Sequence, residues 1–149
     1  MQFRCAEIQE FELNQLALLF DAYRVFYNKE SDISECLGFL KERISQKESF
    51  VFIAKDESEK LVGFVQLYPL FSSTRMKRLW LLNDLFVDPK YRGLGISKSL
   101  IEMAKSWCKS TNGCALILET EKSNLKVNQL YPSVGFSLDE EHNYYSWDV

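Results

Sequence analysis

Leu82 to Ser99 reads LNDLFVDPKYRGLGISKS: a β-rich run ending at Val87, a loop broken by Pro89, and Gly93 and Gly95 immediately before a helical pattern. The first turn of a helix leaves its leading N–H groups without partners and carries about half a positive charge, so anions bind there readily. Glycine lacks a Cβ and adopts backbone angles closed to other residues, which lets successive N–H groups approach a diphosphate. In isolation, Gly-x-Gly before a helix describes a plain left-handed turn equally well. Other nucleotide motifs fit worse: a Walker loop needs Gly-Lys-Ser/Thr, and a dinucleotide fingerprint needs three glycines followed about 20 residues later by an acid.

Working outward, the order of elements is that of a mixed α+β domain. Phe3 to Gln9 reads as a strand. Phe11 to Tyr27 reads as a helix with Leu13, Leu16, Phe20, Tyr23 and Phe26 at helical spacing, and a second helix, capped by Ser31 or Asp32, carries Ile33, Leu37, Leu40 and Ile44 on one stripe. Phe50 to Lys55, Leu61 to Tyr68 and Leu79 to Val87 follow as successive strands, predicting an antiparallel meander. The helix from Ile96 turns Leu100, Ile101, Ala104, Trp107 and Cys108 inward and ends near Asn112 and Gly113. Ala115 to Glu119 suits a short buried strand, Leu125 to Val134 a helix, and Phe136 to Leu138 with Tyr144 to Asp148 a closing hairpin.

The bulk composition narrows the function classes. With 149 residues, 46% hydrophobic and 26% charged, and no linker-like stretch, residues 1–149 are expected to form one domain. A net charge of −3 offers no basic field for nucleic acid. Met1 to Phe11 lacks the apolar core of a secretory signal, and no run reaches the roughly 18 apolar residues of a membrane span, so a cytoplasmic protein with no membrane association is expected. Cys5, Cys36, Cys108 and Cys114 form no Cys-x-x-Cys pair and His142 is the sole histidine, so no metal is expected. The short basic run Arg75, Lys77 and Arg78 reads as a solvated loop, His142 as a surface turn residue, and Tyr145 and Trp147 as cover for the core in preference to a dimer contact.

Arg92-Gly93-Leu94-Gly95-Ile96-Ser97 resembles the Arg/Gln-x-x-Gly-x-Gly/Ala signature of the GNAT superfamily of coenzyme A-dependent N-acetyltransferases, with Ser97 in place of the final Gly or Ala. Downstream, NLKVNQLYPSVGF from Asn124 to Phe136 is similar to that family's Asn-x-x-Ala-x-x-Leu-Tyr-x-x-x-Gly-Phe, with Val127 at the small position and Pro132 after the tyrosine. Leu79 through Gly95 looks like the diamine and polyamine branch and related small bacterial-type enzymes, and the polyamine branch has a Glu where this chain has Asn83. The resemblance covers roughly Phe50 to Phe136 and implies a mostly antiparallel, twisted central sheet of about seven strands flanked by about four helices. It implies acetyl coenzyme A as co-substrate, with its pyrophosphate on the stretch Arg92, Gly93, Leu94, Gly95, Ile96, Ser97 and Lys98, and its pantetheine arm along Leu85, Phe86 and Val87. Asn124 and Tyr131 complete the cofactor contacts that the resemblance implies, and a homodimer is implied as well.

The chemistry sets further demands. An alkyl amine with a pKa of about 10.4 is neutral in only about one molecule in a thousand at pH 7.4, and restoring the neutral form costs about 4 kcal/mol, so a proton acceptor is useful. Asp84, Glu119 and Glu121 are the candidates: Asp84 binds the cationic substrate or relays its proton, or else is a hydrogen-bonded strand-end carboxylate. Glu119 and Glu121 share a face near the end of their strand. The face Asp84 occupies depends on whether a bulge interrupts its strand. Tyr131 is the candidate acid for the departing thiolate, and the N–H groups of Leu85 and Val87 the candidate donors to the thioester oxygen. The leading expectation is acetyl transfer to a primary amine of a small molecule by direct attack in a ternary complex; the alternatives are a protein lysine or N-terminal acetyltransferase, or a catalytically weak acyl coenzyme A sensor.

Overall fold

Four apolar-rich runs become antiparallel strands in chain order: β1 (Phe3–Glu7), β2 (Phe50–Asp56), β3 (Leu61–Ser72) and β4 (Lys77–Val87). A two-residue strand, β5 (Leu116–Ile117), lies parallel to β4 on its other side, giving the order β1-β2-β3-β4-β5. Among the described residues four α-helices accompany them: α1 (Leu13–Phe26), α2 (Ile33–Ser45), α3 (Ile96–Ser110) and α4 (Leu125–Ser133). This is a computed structural model, and it describes residues 2–149. The chain divides into two compact units, Met1–Leu118, which holds the sheet and α1 to α3, and Glu119–Val149, which holds α4.

In the first unit, α1 and α2 cover one face of the sheet. Leu16, Phe20 and Leu40 pack with Val51, Ile53, Phe64 and Phe86 in one buried cluster. The link between the two helices is fixed by buried Asp21, whose carboxylate accepts from Ser31 Oγ and from the Asp32 N–H, both at 2.7 Å. Asp32 caps α2 by accepting from the Glu35 N–H at 3.0 Å. The opposite face packs on α3, where Trp107 meets Phe50, Phe52 and Trp80. A Cβ on Gly63 would meet Ile96 Cγ2 at 3.2 Å and Leu100 Cδ1 at 3.3 Å, so the bare backbone of β3 lets α3 approach closely. Buried Lys55 of β2 pairs with buried Glu12 in the turn before α1, and this bond pushes the ammonium's pKa up. Losing Lys55 would strand the buried Glu12 carboxylate, at a typical cost of about 3–5 kcal/mol, whereas losing Glu12 would leave Lys55 paired with Glu59 at 3.3 Å.

The sheet has five strands rather than about seven. The expected hairpin of Phe136–Leu138 with Tyr144–Asp148 does not form among the described residues. Between those runs Asp139 accepts from the Glu141 and His142 N–H groups at 2.9 and 3.2 Å, a local turn, and two short runs without a third strand are marginal as a sheet. Tyr145 and Trp147, expected over the core, are exposed. The expected buried strand Ala115–Glu119 shrinks to Leu116–Ile117, with Ile117 exposed. The basic run is partly strand instead of loop: Lys77 and Arg78 begin β4, and the Arg78 guanidinium lies over the rings of Phe71 (4.6 Å) and Trp80 (5.3 Å). Among the described residues no helix is long and apolar enough to cross a membrane.

Candidate active site

The β3–β4 ladder carries one irregularity: Gln66 pairs with Asp84 but Leu67 pairs with Leu82, so Asn83 is an extra residue on β4. Without it, Leu82 and Leu85 would fall on opposite faces. With it, both join Trp80 on the α3 face, and Asp84 and Phe86 turn to the face covered by α1 and α2. The bulge also decides where backbone groups point. Before it, the Trp80 N–H donates to the Ala115 carbonyl at 3.0 Å, toward β5. After it, the Asp88 N–H donates to the Val62 carbonyl at 2.8 Å, toward β3. By alternation Asp84 and Phe86 also direct their amides into the β3 ladder, whereas Leu85 and Val87 direct theirs to the opposite edge. β5 accompanies that edge only at Trp80 and Leu81. The outward N–H groups of Leu85 and Val87 are therefore available to a ligand, as an extended pantetheine or a thioester oxygen would need. Phe86 instead buries its ring against Phe64 and Tyr23.

Asp84 is buried at the end of a polar chain that the sequence did not reveal. Ser49 Oγ donates to Gln66 Oε1 at 2.6 Å, and Gln66 Nε2 donates to Asp84 Oδ2 at 2.7 Å. The same carboxylate oxygen accepts from Asn83 Nδ2 at 3.0 Å. Burial, then the nearby charge of Asp84, push the Tyr68 phenol up to about 12, with Arg43 opposing. The signal for Gln66 was its polarity inside the apolar run LVGFVQLY, since a buried polar side chain is the informative exception in a core strand.

The glycine loop follows β4 directly. Gly93 and Gly95 have φ of 80° and 83°, and nothing lies within 4 Å of where a Cβ would sit on either. Their left-handed backbone and open flank suit close approach by a diphosphate, and Gly95 is the cap from which α3 starts. The first-turn amides are those of Ile96, Ser97 and Lys98, Ile96 anchoring the turn through its buried side chain. Leu94 and Lys98 are exposed beside them. Arg92 acts within the fold: its Nε donates to the Val87 carbonyl at 3.1 Å and its guanidinium lies over Phe26 (5.3 Å) and Phe86 (5.5 Å). Across the loop, the Tyr91 hydroxyl donates to Asp56 Oδ2 at 2.9 Å, tying it to the β2–β3 turn.

In the second unit, Asn124 caps α4 by accepting from the Val127 N–H at 3.3 Å. Pro132 stands in the last turn of that helix. Gly135, at φ 96°, then reverses the chain, and the Phe136 N–H returns to the Tyr131 carbonyl at 3.0 Å. The rings of Tyr131 and Phe136 meet edge to face at 5.4 Å. Glu119 and Glu121 are exposed and lie beyond the end of β5, so they do not share a strand face as expected.

The Acetyltransferase (GNAT) family matches residues 14–136 of this chain, a span that includes both motifs. YhfO, an uncharacterized N-acetyltransferase of Bacillus subtilis (strain 168), is 40% identical over 134 residues, covering 90% of this chain and 89% of that protein. A probable acetyltransferase of Haemophilus influenzae is 34% identical over 131 residues, covering 88% of each. The crystal structure of a probable acetyltransferase superposes with a TM-score of 0.93 at 35% identity, over 98% of this chain and 97% of that one.

Two outcomes follow from the loop. Ala at position 95 would hold a left-handed backbone at a cost of about 1–2 kcal/mol and place a methyl where the ligand approaches. Gly95→Ala should therefore lower the unfolding temperature modestly and weaken acetyl coenzyme A binding about tenfold, roughly 1.4 kcal/mol, by calorimetry; unchanged affinity would remove the loop from the cofactor site. The Asp56 carboxyl is held down from 3.8 to about 2, first by the Ser58 hydroxyl and then, against an opposing desolvation, by Tyr91. A depressed carboxylate stabilises the fold above its unfolded value and loses that contribution as pH falls through about 2. Carboxyl NMR should show Asp56 titrating near pH 2 in the native chain and higher in Tyr91→Phe; an unmoved midpoint would mean that the Tyr91 bond contributes nothing.

Proposed function

We propose that this chain, which belongs to the acetyltransferase (GNAT) family, moves an acetyl group from acetyl coenzyme A to the primary amine of a small molecule, by direct attack within a ternary complex. GNAT enzymes generally use acetyl coenzyme A as co-substrate. The observation that carries the reading is the division of labour along β4: the Asp84 carboxylate lies on one face, while the amides of Leu85 and Val87 look out from the adjoining edge. A proton acceptor and oxyanion donors thus sit on consecutive residues of one rigid strand, which fixes their relative geometry.

Acetyl coenzyme A supplies an activated acyl thioester. The amides of Ile96, Ser97 and Lys98, with the open flanks of Gly93 and Gly95, hold its pyrophosphate. Leu85 and Val87 align the pantetheine and polarise the acyl oxygen through their outward N–H groups. Asp84 attracts the ammonium form of the acceptor and takes up the proton that must leave before nitrogen can attack. Tyr131 donates a proton to the coenzyme sulfur, a role supported by its position in the Asn124–Phe136 motif. The acceptor is a cation in bulk solution, which suits a site that carries a buried carboxylate, Asp84, on the same face of β4 as Phe86.

Thiol release from acetyl coenzyme A with a panel of polyamines, amino acids, aminoglycosides and lysine peptides tests this reading. Turnover should appear with a small amine and exceed that on peptides, and silence throughout would remove it. Asp84→Asn should lower kcat/KM for the amine about a hundredfold, in the range typical of a lost general base, while KM for acetyl coenzyme A stays within about twofold. Tyr131→Phe should lower kcat at least about tenfold with cofactor affinity retained; full activity would take the acid role from Tyr131.

A further inference from the structure

We infer that Gln66 and Ser49 are positioning residues for acyl transfer, a two-link clamp that fixes Asp84 in its working orientation; the inference rests on the role given above to Asp84. One row of the sheet runs Val51, Gln66, Asp84 across β2, β3 and β4. Packing alone would fill all three places with apolar side chains, as it does in the neighbouring row Ile53, Phe64, Phe86. Gln66 is fully buried and Ser49 is 2% exposed, so each polar atom there needs a partner.

The partners form a directional chain. An ionised carboxylate is an acceptor only, so the Gln66 amide must present Nε2 to Asp84, which turns Oε1 toward Ser49. The Ser49 hydroxyl then donates to that oxygen at 2.6 Å and holds the amide from behind. The bonds from Gln66 (2.7 Å) and Asn83 (3.0 Å) both fall on Oδ2. Oδ1 takes neither of these two bonds. A carboxylate held in this way keeps its second oxygen directed at the acceptor amine without having to reorganise during the reaction.

The surroundings fit a clamp better than a relay to solvent. Tyr68 of β3, a titratable group that feels the Asp84 charge, has its phenol pushed up, first by burial and then by that charge, and stays protonated at neutral pH. Arg43 of α2 opposes that shift but makes its ion pairs with Glu42 and Glu48. From α1, Tyr23 presents its ring to Phe64 and Phe86. In the chain itself, the groups bonded to Asp84 are the amides of Gln66 and Asn83, neither of which titrates.

The test is steady-state kinetics on Gln66→Met and Ser49→Ala, each alone and combined with Asp84→Asn, with thermal unfolding measured alongside. Gln66→Met keeps the volume and removes the donor; Ser49→Ala removes one oxygen and leaves the fold intact should the first variant prove unstable. Expected are a loss of about tenfold in kcat/KM for the amine in Gln66→Met and about threefold in Ser49→Ala, with KM for acetyl coenzyme A within twofold. In the Asp84→Asn background the same changes should cost less than twofold, because the clamp has nothing left to position. If Asp84→Asn impairs the enzyme but both clamp variants match the parent, or if they raise KM for acetyl coenzyme A in step with lost stability, the inference fails while the role of Asp84 stands. If Asp84→Asn behaves like the parent enzyme, that role and the clamp fall together.

Discussion

A β-strand alternates its side chains with period two, and the whole candidate site depends on β4 breaking that rule once, at Asn83. The extra residue lets Trp80, Leu82, Leu85 and Val87 all serve the α3 side while Asp84 and Phe86 serve the other. Because side-chain face and amide direction are coupled along a strand, the same slip turns the Leu85 and Val87 amides away from β3. Both a carboxylate under the helices and donors along the open edge thus come from one inserted residue. β5 leaves β4 after two paired residues, so nothing in the sheet consumes those donors.

Stability and site are joined through the loop after β4. Arg92 satisfies the Val87 carbonyl and stacks on rings from α1 and β4, and Tyr91 ties the next turn to the β2–β3 connection through Asp56. The glycines between these anchors and α3 can then hold left-handed angles without the loop wandering, since the anchors flank them on one side and buried Ile96 on the other. Arg92, the first residue of the stretch that the resemblance assigns to the pyrophosphate, thus also ties the end of β4 to α1.

The legible parts of the fold were those whose signals are local. Helix periodicity placed α1 to α4, Asp32 and Asn124 appeared as caps, and the two glycines announced the loop geometry they adopt. What failed depended on partners. Tyr144 to Asp148 is as β-rich as β1, but a strand exists only where another receives its hydrogen bonds, and composition does not say which runs find one. The bulge was recognised as decisive, yet its position follows from pairing with β3 and not from any residue in β4 alone. Ser49 and Gln66 escaped for a related reason: they lie 17 residues apart in the chain, and their chemistry emerges only when the pairing of β2, β3 and β4 brings Ser49 to Gln66 and Gln66 to Asp84.

The aromatic packing under α3 has an optical consequence. Trp80 and Trp107 stand 5.8 Å apart with their rings inclined at 65°, close enough for their transition dipoles to couple. Trp147, in the second unit, is 87% exposed. Excitation of the indoles therefore samples two environments at once: a coupled pair on the α3 face of the sheet, Trp80 buried and Trp107 half-buried, emitting toward the blue, and a solvated ring near the C-terminus, emitting toward the red. The chain carries its own two-channel spectrum, one channel for each compact unit.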